Sequence, residues 1–207
     1  SLENDEKFRM HCKATEICVE TLGDEVPTGV LISGPFTAAA SIYKTAELLR
    51  ATRKDSDNLH KLINFCTQNL KKIYREFIKR GALILMCDPI ASGTIIHQKQ
   101  YREFVLPYTI ELVKDIHEAG GMVCYHICGD TTSIITDMVE SGCDMLSIDN
   151  KVDLEYTKNQ IGDKVPILGN VDPVDVMNLG SPEDVKNAVK DCLKKGYDSE
   201  KGYILAS

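Results

Sequence analysis

His126 and Cys128 are the side chains whose types and spacing most invite chemistry. They lie in Met122-Val123-Cys124-Tyr125-His126-Ile127-Cys128-Gly129-Asp130, a short apolar run closed by Gly-Asp. Such a run between helical patterns reads as a buried strand. Side chains alternate faces along a strand, so Met122, Cys124, His126 and Cys128 share one face and Val123, Tyr125 and Ile127 the other. An imidazole and a thiol two positions apart can then reach one metal ion. Zn²⁺ suits them, since it takes neutral imidazole and thiolate together in a tetrahedral shell. The spacing alone also fits plain packing, with an interior histidine and a buried free cysteine. Cys124, one pleat deeper, reads as interior filling.

The elements that must position this pair alternate in type. Helical patterns cover 4–22, about Ala38 to Ala51, Asp55 to Arg80, Gln98 to Ala119, Thr131 to Ser141, and Ser181 to Gly196. Pro107 should kink or split the fourth of these, and Thr131 or Thr132 should cap the fifth. Apolar runs at Val30–Gly34, Ala82–Cys87, Met122–Cys128, Met145–Asp149, Val165–Asn170 and Tyr203–Ala206 read as strands. Continuous apolar strands alternating with helices argue for a parallel sheet covered by helices. Ser33, Asp88, His126, Cys128, Asp130, Asp149, Asn170, Asp172 and Ser207 all fall at strand ends, as on the active-site face of a (β/α)₈ barrel. The expectation is therefore α/β, a partial TIM barrel of about six of eight βα units, as one domain over residues 1–207. The rival, a doubly wound open sheet, lacks a G-x-G-x-x-G phosphate loop. Ser1 stands where an initiator Met is absent and reads as an added residue. The last residues, Gly202–Ser207, sit in or just after a strand, so the barrel is expected to be truncated at both ends.

Composition narrows the class of function. The 207 residues carry 24 Lys and Arg against 31 Asp and Glu, a net charge of −7, with no basic run, which argues against a nucleic-acid partner. No apolar stretch approaches a membrane span and no secretory signal is visible. Eight cysteines without the dense spacing of a disulfide scaffold read as reduced thiols in a cytoplasmic protein. His11, His60 and His117 fall in helical stretches and read as surface residues. His97, in the loop after the second strand, lies near the mouth without a motif.

With Asp88-Pro89-Ile90-Ala91-Ser92-Gly93 before it and Gly169-Asn170-Val171-Asp172-Pro173 after it, the segment His126-Ile127-Cys128-Gly129-Asp130 resembles the uroporphyrinogen decarboxylase superfamily. Within it the chain is most similar to the methylcobamide:coenzyme M methyltransferase branch. The resemblance runs in order from Ser33-Gly34-Pro35-Phe36-Thr37 to Tyr203–Ser207. The His-x-Cys pair marks the zinc methyltransferase side, since the decarboxylases use no metal and lack it. The resemblance implies a zinc ion at the barrel mouth, held by His126, Cys128 and a further Cys in a Ser-Gly-Cys context expected beyond residue 207. It also implies a methylated corrinoid protein as methyl donor and a small thiol such as coenzyme M as acceptor, in methanogenesis or anaerobic one-carbon metabolism. The thiol, bound as thiolate, would attack the methyl on Co(III) and leave Co(I). Asp88 is the candidate catalytic carboxylate, with loop capping as its plainer alternative, and Asp149 and Asn170 are the candidate substrate-binding residues. Asp172 reads as a turn or helix-entry residue. The alternatives are a metal-free tetrapyrrole decarboxylase, a non-catalytic corrinoid-binding barrel, and a homocysteine methyltransferase. Missing barrel units would leave edges and apolar faces open, so self-association is expected.

Overall fold

The computed structural model describes residues 2–207; Ser1, with its reading as an added residue, lies outside the described residues. Helix α1 (Glu6–Leu22) is capped by Asp5, whose Oδ1 accepts the Phe8 N–H at 2.8 Å, and ends at Gly23. Strand β1 (Gly29–Ser33) leads directly into α2 (Pro35–Tyr43). The single helix expected over Ala38–Ala51 is two, because Lys44 turns the backbone to φ +65° before α3 (Thr45–Lys54). Helix α4 (Ser56–Ile78) returns along the outside of the sheet to β2 (Leu83–Cys87).

Pro107 has the effect its ring predicts. The helical stretch breaks at Val105 into α5 (Gln98–Phe104) and α6 (Leu106–Glu118), with Pro107 in the first turn of α6. After β3 (Val123–Ile127) comes the short α7 (Ile135–Glu140). Neither threonine caps α7 through its side chain: a short 3₁₀ turn over Thr132–Ile134 precedes the helix, Ile134 holds its N-cap position, and Asp130 Oδ1 accepts the Thr132 N–H at 2.9 Å ahead of it. Strand β4 (Met145–Ile148) is followed by α8 (Leu154–Ile161), which the hydrophobic pattern did not announce; Asp153 caps it through the Tyr156 N–H. Strand β5 (Ile167–Asn170), α9 (Pro182–Gly196) with its Ser181/Asp184 capping box, and β6 (Tyr203–Ala206) complete the order.

The six strands are all parallel and lie in the order β1-β2-β3-β4-β5-β6. Parallel crossovers are right-handed, so strands added in one direction place every helix on one face. A doubly wound sheet would reverse direction and cover both. The helix-facing side chains are fully dry: Ile84, Met86, Val123, Tyr125, Ile127, Leu146 and Ile167 are each 0% exposed. The other, concave face is open. Leu31, Met122 and Ile204 on it are 69%, 54% and 44% exposed. This is a partial (β/α)₈ barrel, with its inner face uncovered where further strands would close it.

Two buried carboxylates tie the helix layer together. Asp115 takes a bidentate pair from Arg75, joining α4 to α6. Asp137, 1% exposed at its side chain, takes another from Arg102, joining α5 to α7. His60 departs from its expected surface role: it is half-buried, stacked on Phe104 at 4.8 Å, with Nδ1 2.8 Å from the Tyr108 hydroxyl. That hydroxyl donates to the His60 carbonyl, so the imidazole Nδ1–H must donate to Tyr108. His117 is exposed as expected and sits 2.9 Å from Asp144. No helix among the described residues is long and apolar enough to cross a membrane.

Candidate metal centre at the carboxyl ends of the strands

Pairing of β2, β3 and β4 sets Cys87, His126 and Ser147 abreast on the inner face. The His126 ring is fixed by its neighbour: Nδ1 lies 3.0 Å from Ser147 Oγ and 3.2 Å from the Ser147 carbonyl oxygen. A carbonyl only accepts, so Nδ1 carries the ring proton and Nε2 is left with its lone pair. Nε2 points at Cys128 Sγ, 3.3 Å away. In a tetrahedral zinc site, bonds of about 2.0 Å to nitrogen and about 2.3 Å to sulfur put the two donors about 3.5 Å apart. The pair stands near that separation already, with the histidine tautomer a metal requires.

The electrostatics fit a neutral imidazole beside a protonated thiol. Burial holds the His126 imidazole below its ordinary value, so the ring is neutral near pH 7. Burial, and after it the Asp149 carboxylate, push the Cys128 thiol up. A protonated thiol can donate to the bare Nε2, which accounts for the 3.3 Å contact.

The loops around the pair are packed backbone to backbone. Gly129 adopts φ +82°, and a Cβ there would stand 2.8 Å from Ser92 Oγ. A Cβ on Gly93 would stand 2.6 Å from the Asp130 carbonyl oxygen. Glycine at both positions lets the loop after β2 lie directly on the loop that carries Cys128.

The other strand-end residues are placed as follows. Asp149 is half-buried, its Oδ2 accepting the Gly129 N–H at 2.8 Å and its Oδ1 the Lys151 N–H at 2.9 Å. Asn170 donates Nδ2 to the carbonyls of Asp149 and Val152, holding the loop after β4 against the end of β5. Asp88, expected as a catalytic carboxylate, is 0% exposed and turned to the helix layer. Its two oxygens accept the Phe36 and Thr37 N–H groups in the first turn of α2, at 3.2 and 2.6 Å. A carboxylate so enclosed cannot touch a substrate without rearrangement, and its task here is to anchor α2. Asp172 makes the expected turn, accepting the Val174 and Asp175 N–H groups. Cys124 is buried, its thiol pushed up to about 12 by burial. His97 starts α5 and is exposed.

Among the described residues no three His, Cys, Asp or Glu side chains converge as a metal cluster. His126 and Cys128 are two donors of the right chemistry. Sequence reasoning passed over Ser147, although a polar residue inside Met145-Leu146-Ser147-Ile148, on the inward parity, was a signal for it.

The whole chain, residues 1–207, matches the Uroporphyrinogen decarboxylase (URO-D) family, and the protein belongs to that family. Among curated relatives, a methylated-thiol–coenzyme M methyltransferase of Methanosarcina mazei is 34% identical over 174 residues, 84% of this chain and 46% of the relative. A methylcobamide:CoM methyltransferase of the same organism is 32% identical, over 89% of this chain and 54% of its own. A uroporphyrinogen decarboxylase of Prochlorococcus marinus is 29% identical, over 84% of this chain and 51% of its own. The chain thus spans about half the length of these relatives. A solved methyltransferase from Methanosarcina mazei superposes with a TM-score of 0.85 over 94% of this chain and 56% of its own, at 23% identity, and so shares the fold.

Asp88 generates a prediction with a definite sign. Burial raises its acid to about 6, offset in part by the N–H groups of Thr37 and Phe36. The folded chain then holds this proton up to about pH 6 and the unfolded chain only to about pH 3.9. Between these values folding binds a proton, so raising the pH through that window lowers stability, by about 3 kcal/mol in all. Urea unfolding from pH 4 to pH 7 should show this slope in the unsubstituted protein and lose it in Asp88→Asn. Equal slopes in both proteins would contradict the assignment.

Proposed function

We propose that this protein is a methyltransferase that moves a methyl group from a methylated corrinoid, carried on a protein, to a small thiol of the coenzyme M type, with one zinc ion held by His126 and Cys128. The observation that carries this reading is the donor pair itself. His126 Nε2 and Cys128 Sγ face each other at 3.3 Å, and the tautomer is set from behind by Ser147. The names of two similar relatives, both coenzyme M methyltransferases, support the reaction class.

Zinc bound there would supply the positive charge that keeps a substrate thiol as its thiolate near neutral pH. The chain's own residues do the rest. His126 needs no deprotonation, since burial already keeps its ring neutral. Cys128 would hold the metal as its thiolate. Asp149 and Asn170 keep the loops after β3, β4 and β5 in place around the opening, the position from which substrate-binding groups would act. Asp88 supports the same opening from behind by fixing α2. The family resemblance implies one further cysteine that would serve as a third donor. The corrinoid protein would approach over the carboxyl ends of the strands, where Cys128 is exposed. Eight unpaired cysteines support a reducing, cytoplasmic setting.

The second reading is a tetrapyrrole decarboxylase without metal, favoured by the uroporphyrinogen decarboxylases among the relatives. Elemental analysis of the full-length protein, purified without chelators, separates the two. The methyltransferase reading predicts about one zinc per chain, lost in Cys128→Ala. Zinc-free protein that decarboxylates a tetrapyrrole would establish the second reading.

The open inner face also supports self-association of this chain, because the edges at β1 and β6 and the exposed Leu31, Met122 and Ile204 lack cover. Sedimentation of the 207-residue chain should show dimers or larger species growing with concentration. A clean monomer at every concentration is the contrary result.

A further inference from the structure

Ser147 and Asp149 stand one pleat apart at the end of β4, Ser147 bonded to His126 and Asp149 to Gly129, the residue after Cys128. Ser147 is 8% exposed, and its hydroxyl and carbonyl both reach His126 Nδ1. Within an otherwise apolar strand, His126 is the partner the structure gives that hydroxyl. Asp149 reaches the other donor indirectly. Its Oδ2 accepts the N–H of Gly129, the residue that follows Cys128, while its Oδ1 is held by Lys151 N. Gly129 is in turn pressed against Ser92 from the loop after β2.

We propose that Ser147 and Asp149 are a pair of positioning residues, Ser147 fixing the ring of His126 and Asp149 fixing the loop that carries Cys128. The proposal rests on the reading of His126 and Cys128 as metal donors and adds how the chain sets their geometry. Without the Ser147 hydroxyl, the ring proton is left with one acceptor at 3.2 Å in place of two, so the ring is freer to rotate and its proton exchanges with water more readily. Without the Asp149 carboxylate, the Gly129 N–H loses its acceptor, and the bond that holds the Cys128 backbone toward β4 is gone. Each loss leaves both donors present and degrades only their mutual placement. Such outer partners typically govern metal affinity by about 10–100-fold.

The test uses the full-length protein and three readouts, two of them independent of metal. ¹H–¹⁵N spectra of labelled histidine should show the His126 Nδ1–H exchanging slowly with water, faster in Ser147→Ala and slowed again in Ser147→Thr. Hydrogen exchange at the Gly129 amide should quicken at least about tenfold in Asp149→Ala and recover in Asp149→Asn, which keeps an acceptor. Co(II) titration, followed by thiolate-to-metal absorption, should show binding about tenfold weaker in each alanine variant. Unchanged Nδ1–H exchange in Ser147→Ala with unchanged Gly129 exchange in Asp149→Ala overturns the proposal, as does undiminished Co(II) affinity in both. Absence of Co(II) absorption in the unsubstituted protein sinks the metal reading alone, and the two exchange readouts then decide the positioning roles by themselves.

Discussion

The parallel pairing of β3 with β4 is the constraint on which the rest of the site depends. It sets His126 beside Ser147, where the imidazole Nδ1 reaches both the hydroxyl and the carbonyl. The pairing is specified from the opposite face. Val123, Tyr125 and Ile127 of β3, with Leu146 of β4, are fully buried under the helices. A slip by one residue would turn these side chains out of the core. Each carries about 1.5–3 kcal/mol of burial, so the helix-facing core dictates which side chains point inward. The inward set of β3 is Cys124 and His126, and the chain then delivers Cys128 just past the strand end.

Around that pair, most polar groups at the strand ends are committed to backbone. Both Asp88 oxygens hold α2, both Asp149 oxygens hold loops, and the Asn170 amide bridges two carbonyls. Buried polar groups need such partners, and the loops that frame a barrel mouth need such ties to keep one shape. The consequence for chemistry is a sorting of the residues. His126 Nε2 has only a weak thiol contact, and Cys128 is exposed, so these two can exchange their present contact for an outside ligand without unmaking the fold.

Much of this was legible in the amino-acid sequence. Strand positions followed from apolar runs and their bounding glycines, and the inward parity of His126 from simple alternation. The break near Pro107 followed from the ring's missing N–H. What stayed hidden has physical reasons. Lys44 divides a helix through a positive φ that no residue of its type announces. Helix α8 is only eight residues long with three buried positions, too short for its period to stand out, though Asp153 is a proper cap. The role of Asp88 depends on a partner 51 and 52 positions earlier in the chain, a distance local patterns do not reach. His60 looked like a surface residue because its stacking partner Phe104 lies on another helix.

The central claim is that one metal ion bridges His126 and Cys128. X-ray absorption at the zinc edge of the zinc-loaded, full-length protein tests it most directly. The account predicts a mixed first shell, with nitrogen or oxygen at about 2.0–2.1 Å and sulfur at about 2.3 Å, and fewer sulfur neighbours in Cys128→Ser. A shell of oxygen and nitrogen alone, unchanged by that substitution, would contradict it.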